Sequence, residues 1–316
     1  MSSAKVVALG GGHGLAATLR ALRQVTNSIT AIVTVADNGG SSGRLRKEFP
    51  IFPPGDLRMA LAALCADDEW GRSWADIMQY RFTSDGELNG HAIGNLLLAA
   101  LWDRDEDPVE GLDRVGALLK VVGRVLPMSA VPLDIEATFA TATGLEVIRG
   151  QVEVATAKGK LESLRIAPLN PPARPEVLLA LNQADFITMG PGSWFSSVLP
   201  HLLVPAQRTA LIESKAKKIL LLNLDAHPNS TAGEYAGHSA LNHLEILHRY
   251  APQLYFDYVV ADPSILGGDE SLQERVSILG GELIVSDLRG SSSEVHHDVN
   301  KLSTLFAHII SQRLVG

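Results

Sequence analysis

The chain has 316 residues, a formal net charge of −8 and no Lys/Arg run longer than Lys217-Lys218, a balance that argues against nucleic acid and anionic membranes as partners. A hydrophobic fraction of 46% with only 5% aromatics calls for a core of Val, Ile, Leu and Ala, as in parallel strands covered on both faces by helices. Cys65 is the only cysteine, which excludes an internal disulfide and a cysteine-based zinc site, and a packed thiol is expected in the apolar run Met59–Ala66.

In chain order, Lys5–Leu9 reads as a short apolar strand, Gly10–Gly14 as a loop, and Leu15–Val25 as a helix with Leu15, Leu19 and Leu22 on one face. The β-branched segment Ile29–Val35 is a second strand ending at Ala36-Asp37, and Asn38–Gly43 is too rich in glycine and serine for either regular element. Pro53-Pro54-Gly55-Asp56 restarts the chain, with Asp56 as the expected N-cap of a helix over Leu57–Ala66. Another helix starts near Gly94-Asn95 and runs into Leu96–Trp102, and Asp103–Val125 reads as helical and more polar.

The pattern then changes. Leu133–Phe139 and Leu145–Val154 alternate roughly every second residue, which predicts a small antiparallel β insertion at about 128–168. Helix Pro175–Gln183, strand Phe186–Met189, loop Gly190–Ser193 and a helix toward Val204 follow. Lys218–Leu224 and Tyr255–Ala261 are further buried strands with helix Ala240–Tyr250 between them, then strand Leu283–Ser286 and a closing helix Val299–Leu314. Alternating strands and helices imply one α/β unit over residues 1–316 with a mostly parallel, doubly wound sheet. The apolar run before Gly10 is too short for a signal-peptide core, and Leu96–Trp102 is far short of a membrane span. The expected location is cytoplasmic, with no membrane insertion.

Three glycine-bearing segments fall between strands and helices. Gly10-Gly11-Gly12-His13-Gly14 lets backbone approach a phosphate and offers free N–H groups at a helix start. Leu15 occupies the third glycine position of the dinucleotide fingerprint, so a nicotinamide-dependent dehydrogenase rests on fold analogy alone. Asp37-Asn38-Gly39-Gly40-Ser41-Ser42-Gly43-Arg44 begins where the second strand ends, the sheet edge where α/β ligands bind. Its hydroxyls, amides and Arg44 suit a diphosphate, and Asp37 suits a sugar hydroxyl or a divalent metal. The same segment spells G-x-S-x-G, but four residues separate the strand from the serine and no helix is expected at once, unlike a hydrolase elbow. Gly190-Pro191-Gly192-Ser193 repeats the strand–glycine–helix pattern and is expected to face the first loop across one crevice.

Single residues are less telling. His91 and Asn95 flank Gly94 as ligand contacts or as helix caps. His243 and His248 are five apart, not the four of a zinc-protease helix, and read as surface or core residues. His296-His297-Asp298 fits a metal or sugar contact, or an N-cap at Asp298.

Taken in order with Pro53-Pro54-Gly55-Asp56-Leu57-Arg58 and Gly90-His91-Ala92-Ile93-Gly94-Asn95, these segments make the chain resemble the gluconeogenesis-factor (YvcK-like) family. That family is a branch of the superfamily that includes 2-phospho-L-lactate transferase (CofD-like). The resemblance spans nearly the whole chain. It implies a Rossmann-like three-layer sandwich that binds UDP-N-acetylglucosamine or a related nucleotide diphosphate. It also implies a role in cell shape and peptidoglycan synthesis during gluconeogenic growth, through a regulatory protein partner, with no assigned catalytic residue or cofactor. Carried onto this chain, the ligand contacts would be Gly11, Gly12 and His13 in the first loop, and Asp37, Asn38, Gly40, Ser41, Ser42 and Arg44 in the second. Asp56, Arg58, His91 and Asn95 would add to them, with Gly190, Gly192 and Ser193 on the far side. The alternative is a transferase acting on a diphosphate-linked nucleotide donor with magnesium at Asp37. His13 stands where Thr is commoner and Asn38 where Asp is commoner, which weakens a two-carboxylate magnesium site. Val276 and His296 stand where family members place a Tyr and an Arg, which leaves the nucleobase open. A homodimer is compatible with the sequence.

Overall fold

The computed structural model describes residues 2–105, 107–157, 159–226, 239–266, 270–290 and 293–312. Val6-Val7-Ala8-Leu9 has no polar face to offer water, and β1 (Val6–Gly10) is accordingly buried at every position. It sits inside a seven-stranded sheet with β2 (Ile29–Val33) and β3 (Arg124–Pro127) on one side. On the other side lie β7 (Phe186–Met189), β8 (Lys217–Leu221), β9 (Tyr258–Ala261) and β10 (Glu282–Val285), giving the order β10-β9-β8-β7-β1-β2-β3. Every neighbouring pair is parallel, with Gly10 level with Val33 and Leu9 level with Met189.

The direction of winding reverses between β1 and β7. Chain order runs one way through β1, β2 and β3 and the other way through β7 to β10. Such a switch point opens a crevice at the carboxyl ends of the strands.

Helices cover both faces: α1 (Gly12–Leu22), α2 (Gly40–Glu48), α3 (Pro54–Leu64), α4 (Glu69–Gln79), α5 (Ile93–Arg104) and α6 (Pro108–Leu119) precede the insertion. The insertion holds β4 (Asp134–Thr141), β5 (Gly144–Arg149), α7 (Gln151–Thr156) and β6 (Lys160–Ala167), its strands antiparallel in the order β5-β4-β6. After it come α8 (Pro175–Gln183), α9 (Pro200–Leu203), α10 (Pro205–Glu213), α11 (Ala240–Tyr250) and α12 (Ser271–Ile278). The ribbon β11 (Arg289–Gly290) and β12 (Ser293–His297) leads into α13 (Val299–Gln312). α1 packs against α3 and α13, which explains why Leu15, Leu19 and Leu22 all lie on its buried side. Cys65 is buried as a free thiol at the end of α3.

Several elements differ from the sequence expectations. Asn38–Gly43 is not all loop: helix α2 starts at Gly40, because Ser41 and Ser42 turn inward and are buried. The loop after β1 is likewise shorter, since α1 begins at Gly12. Asp56 is not an N-cap; Pro53 holds that place and Asp56 lies in the first turn of α3. Lys120, left-handed at φ 51°, ends α6, so Val125 belongs to β3 rather than to a helix. Gly150, at φ 106°, stops the alternating run after Arg149 and starts α7. α4 is an additional helix, capped by Asp68 accepting from the Gly71 amide at 2.7 Å. The end of the closing helix at Leu314 lies outside the described residues.

Gly14 sits where the loops after β1 and β7 touch: a Cβ there would lie 2.2 Å from the Pro191 carbonyl oxygen. Gly14→Ala is expected to cost about 1–3 kcal/mol through overpacking, read as a lower Tm. Gly86→Ala, with open space around it, should stay within about 0.5 kcal/mol. Equal Tm values for the two variants would contradict the contact.

Candidate functional site at the switch point

The crevice is built outward from Gly11. A Cβ on Gly11 would lie 2.4 Å from Thr34 Oγ1, 2.5 Å from Asp56 Oδ2 and 3.0 Å from Ser197 Oγ. The ends of β1 and β2, the first turn of α3 and the turn after β7 therefore meet at one residue. Gly12, at φ 58°, opens α1 with no acidic side chain of its own in the first turn, and its amide is met from outside the helix by the Asp56 carboxyl. His201, buried behind this loop, accepts from Gln207 at Nδ1 (2.9 Å) and so carries its proton on Nε2, which faces the Gly10 carbonyl at 3.4 Å.

On the β2 side, Asp37 Oδ1 accepts from the Gly39 amide at 2.8 Å, shaping the turn into α2. A Cβ on Gly55 would lie 3.0 Å from Asp37 Oδ2 and 2.6 Å from Ser42 Oγ, so this turn abuts the start of α3. Ser42 Oγ accepts from the Gly55 amide at 3.0 Å. Ser41 Oγ lies 2.9 Å from His91 Nδ1 and accepts from Asn95 Nδ2 at 3.0 Å. These bonds hold α2 in place, with His91 and Asn95 supporting Ser41 and the Gly55 amide meeting Ser42. What α2 leaves toward the crevice is backbone: Gly40 is exposed at φ 48° and the first turn has no acidic residue. Ser41 departs from the exposed serine of a hydrolase elbow, since it is buried between His91 and Asn95, although a helix does follow at once.

Charge is concentrated at α3. Asp56 accepts from Thr34 Oγ1 at 3.3 Å. Its carboxyl is pushed up to about 7 by burial and by the Asp37 charge, against the pull of the Thr34 and Gly12 hydrogen bonds. Arg58 is 3% exposed, donates to Gln79 Oε1, and its Nε has no hydrogen-bond partner among the described residues. Burial and then Arg81 lower the guanidinium to about 10, with Asp56 and Asp37 opposing. His13 is held below its ordinary value by burial and by His296, Arg20, Arg58 and Arg81, the mark of a positive niche. The His13 and His296 rings meet edge to face at 5.9 Å. Arg44 points elsewhere: it is exposed and donates to the Glu87 and Asn89 carbonyls at 3.0 and 2.7 Å.

On the β7 side, Asn223 clamps Gly192 from both ends, accepting from its amide at 2.9 Å and donating to its carbonyl at 2.8 Å. Gly190, at φ 77°, comes so close to β8 that a Cβ would lie 2.7 Å from the Leu221 carbonyl oxygen. Ser193 caps the π-helical turn Trp194–Val198, accepting from the Ser196 amide at 3.0 Å.

The structure thus gathers the segments around Gly12, Asp37, Gly40, Asp56, Arg58 and Gly192 on one crevice, with Ser41, Ser42, His91 and Asn95 as its support. Thr34, Arg81, Gln151, Ser197 and Asn223 join them without having stood out in the sequence. Asn223 does carry a signal, since it lies two residues past the end of β8 as Gly11 lies just past β1. His243 is a core residue, stacked on Trp194 with ring centres 4.6 Å apart. Asp298 caps α13, accepting from the Asn300 and Lys301 amides at 2.9 and 3.0 Å. Val276 is buried in α12 among Leu247, Leu254 and Phe256, away from the crevice. Among the described residues no group of three or more His, Cys, Asp or Glu could hold a metal, and no helix is long and apolar enough to cross a membrane.

Comparison with known proteins adds to this geometry. The family model described as 2-phospho-L-lactate transferase CofD matches residues 6–315. A putative gluconeogenesis factor of Mycobacterium tuberculosis is 46% identical over 310 residues, covering 95% of this chain and 88% of that protein. A gluconeogenesis factor of Listeria innocua is 32% identical over 310 residues, covering 95% and 93%. A crystal structure of a UPF0052-family protein from Bacillus halodurans superposes with a TM-score of 0.84 at 32% identity, covering 96% of this chain and 99% of that one.

The raised Asp56 carboxyl has a thermodynamic consequence. The folded group holds its proton up to about 7, whereas the unfolded one releases it near 4. Stability is therefore full below about pH 4 and declines as pH rises toward 7. Asp56→Asn should stabilise the ligand-free protein at pH 8 by on the order of 2 kcal/mol, with little gain at pH 4.5 in denaturant melts. A destabilised variant at pH 8 would contradict this.

Proposed function

Because the chain belongs to the 2-phospho-L-lactate transferase CofD family, and its curated relatives are called gluconeogenesis factors, we propose that it is a cytoplasmic nucleotide-sugar-binding regulatory protein. Its ligand is UDP-N-acetylglucosamine, and its role lies in cell shape and peptidoglycan synthesis during gluconeogenic growth, exerted through a protein partner. The observation that carries this reading is the convergence on Gly11 of three strand ends and the start of α3, beside a buried arginine. The first turns of α1 and α2 contain no acidic residue, and their amides beyond those held by Asp56 and Asp37 would meet a diphosphate. Arg58, whose Nε has no hydrogen-bond partner among the described residues, supplies the balancing charge. Asp56, with a carboxyl near 7, donates to a phosphate oxygen rather than repelling it. Asp37 accepts from a sugar or ribose hydroxyl.

The Asp37–Asp56 pair is what favours the second reading, a transferase acting on a diphosphate-linked nucleotide donor. The mutual repulsion that raises Asp56 is relieved by a divalent cation, so these two carboxylates would hold magnesium, which would neutralise the leaving diphosphate. Asn38 supplies no third carboxylate.

Calorimetry separates the readings. UDP-N-acetylglucosamine should bind the wild-type protein without magnesium, and Arg58→Gln should weaken binding about ten- to a hundredfold while retaining a cooperative melt. No heat from the wild-type protein would overturn the first reading. Magnesium-dependent turnover of a diphosphate donor, abolished by Asp37→Ala, would establish the second.

A further inference from the structure

Asn38 follows Asp37 in the loop after β2, but its side chain is taken up by the insertion. Its Oδ1 accepts from the Val152 amide at 3.1 Å and its Nδ2 donates to Glu153 Oε2 at 2.9 Å. Both partners lie in the first turn of α7. The approach is close enough that a Cβ on Gly150 would lie 2.5 Å from Asn38 Nδ2, and one on Gly39 would lie 3.1 Å from a Val152 methyl.

The same helix reaches the opposite wall. Gln151 Nε2 donates to Ser196 Oγ at 3.3 Å, and Ser196 Oγ donates on to Ser193 Oγ at 2.6 Å. Gln151 Oε1 is buried without a hydrogen-bond partner among the described residues. α7 is only six residues long, too short to hold its own helix in water. It is folded by what it touches: β4 and β5 of its own insertion, and beyond them the loop after β2 and the turn after β7, the two sides of the crevice.

We propose that Asn38 and Gln151 are positioning residues that make α7 a clasp between the two walls, so that ligand affinity and the order of the insertion are linked. This rests on the nucleotide-sugar reading of the crevice. Linkage is reciprocal: whatever tightens the walls tightens α7, and whatever loosens α7 weakens the ligand. The clasp also accounts for the residue type at 38. An aspartate there could accept from Val152 but could not donate to Glu153, and would set two carboxylates at hydrogen-bond distance.

The test uses the full chain in a double-mutant cycle, read by hydrogen exchange over residues 151–157 and by calorimetry with UDP-N-acetylglucosamine. Asn38→Asp should speed exchange in α7 about tenfold in the free protein and weaken the ligand about tenfold, the scale of one lost charged hydrogen bond. Glu153→Gln alone keeps the contact, an amide oxygen replacing the carboxylate. In the double variant the new amide donates to the new carboxylate, and both readouts should return to within about threefold of wild type. Additive effects of the two substitutions would overturn the clasp, as would unchanged exchange in Asn38→Asp. Rescue of exchange without rescue of affinity would overturn its link to the ligand. If the wild-type protein binds no UDP-N-acetylglucosamine, the proposed function fails, while the exchange cycle still decides the clasp.

Discussion

The backbone contact between the loops after β1 and β7 is the constraint from which the crevice follows. Two parallel strands wound in opposite directions part company at their carboxyl ends, and only residues without side chains let their exits stay packed. Gly14 against the Pro191 carbonyl is that contact. Gly11, hemmed in by Thr34, Asp56 and Ser197, extends the same closeness to β2 and α3. Glycine at these places is a packing demand.

That closeness carries an electrostatic cost. Burial shifts the Asp56 carboxyl and the Arg58 guanidinium, and neighbouring charges act on both, Asp37 and Arg58 on Asp56, and Arg81, Asp56 and Asp37 on Arg58. A protein selected for stability alone would fill this space with apolar side chains. Instead the crevice keeps two carboxylates at the helix starts, Asp37 on the Gly39 amide and Asp56 on the Gly12 amide, beside the buried Arg58, and perturbed charges gathered in a cleft mark a candidate site.

Much of this was legible in the sequence. Strands such as Val6–Gly10 and Phe186–Met189 announce themselves as short apolar runs buried on both faces, and Gly150 aside, the insertion shows its period of two. Helix α2 was illegible because Gly40–Glu48 has no apolar stripe; tertiary bonds from His91, Asn95 and Gly55 hold it instead. α7 was hidden because Gln151–Val154 continues the alternation of β5, and only the φ of 106° at Gly150 breaks it. The glycine loops pointed to the crevice, whereas Thr34, just past β2, did not, since a lone residue at a strand end gains meaning only through register, and Arg81, past the end of α4, is placed by tertiary packing alone. Ser41 and Ser42 drew attention as hydroxyls, and what the sequence did not show is that both are buried, with Ser41 bonded to His91 and Asn95 and Ser42 to the Gly55 amide.

A diphosphate would sit at one place in the molecule, the carboxyl ends of β1, β2 and β7. A crystal structure of the wild-type protein with a nucleotide diphosphate sugar tests it most directly. Phosphate oxygens should lie within hydrogen-bond distance of amides in the first turns of α1 and α2, with the Arg58 guanidinium alongside. A diphosphate bound away from the carboxyl ends of β1, β2 and β7, with those amides untouched, would contradict it.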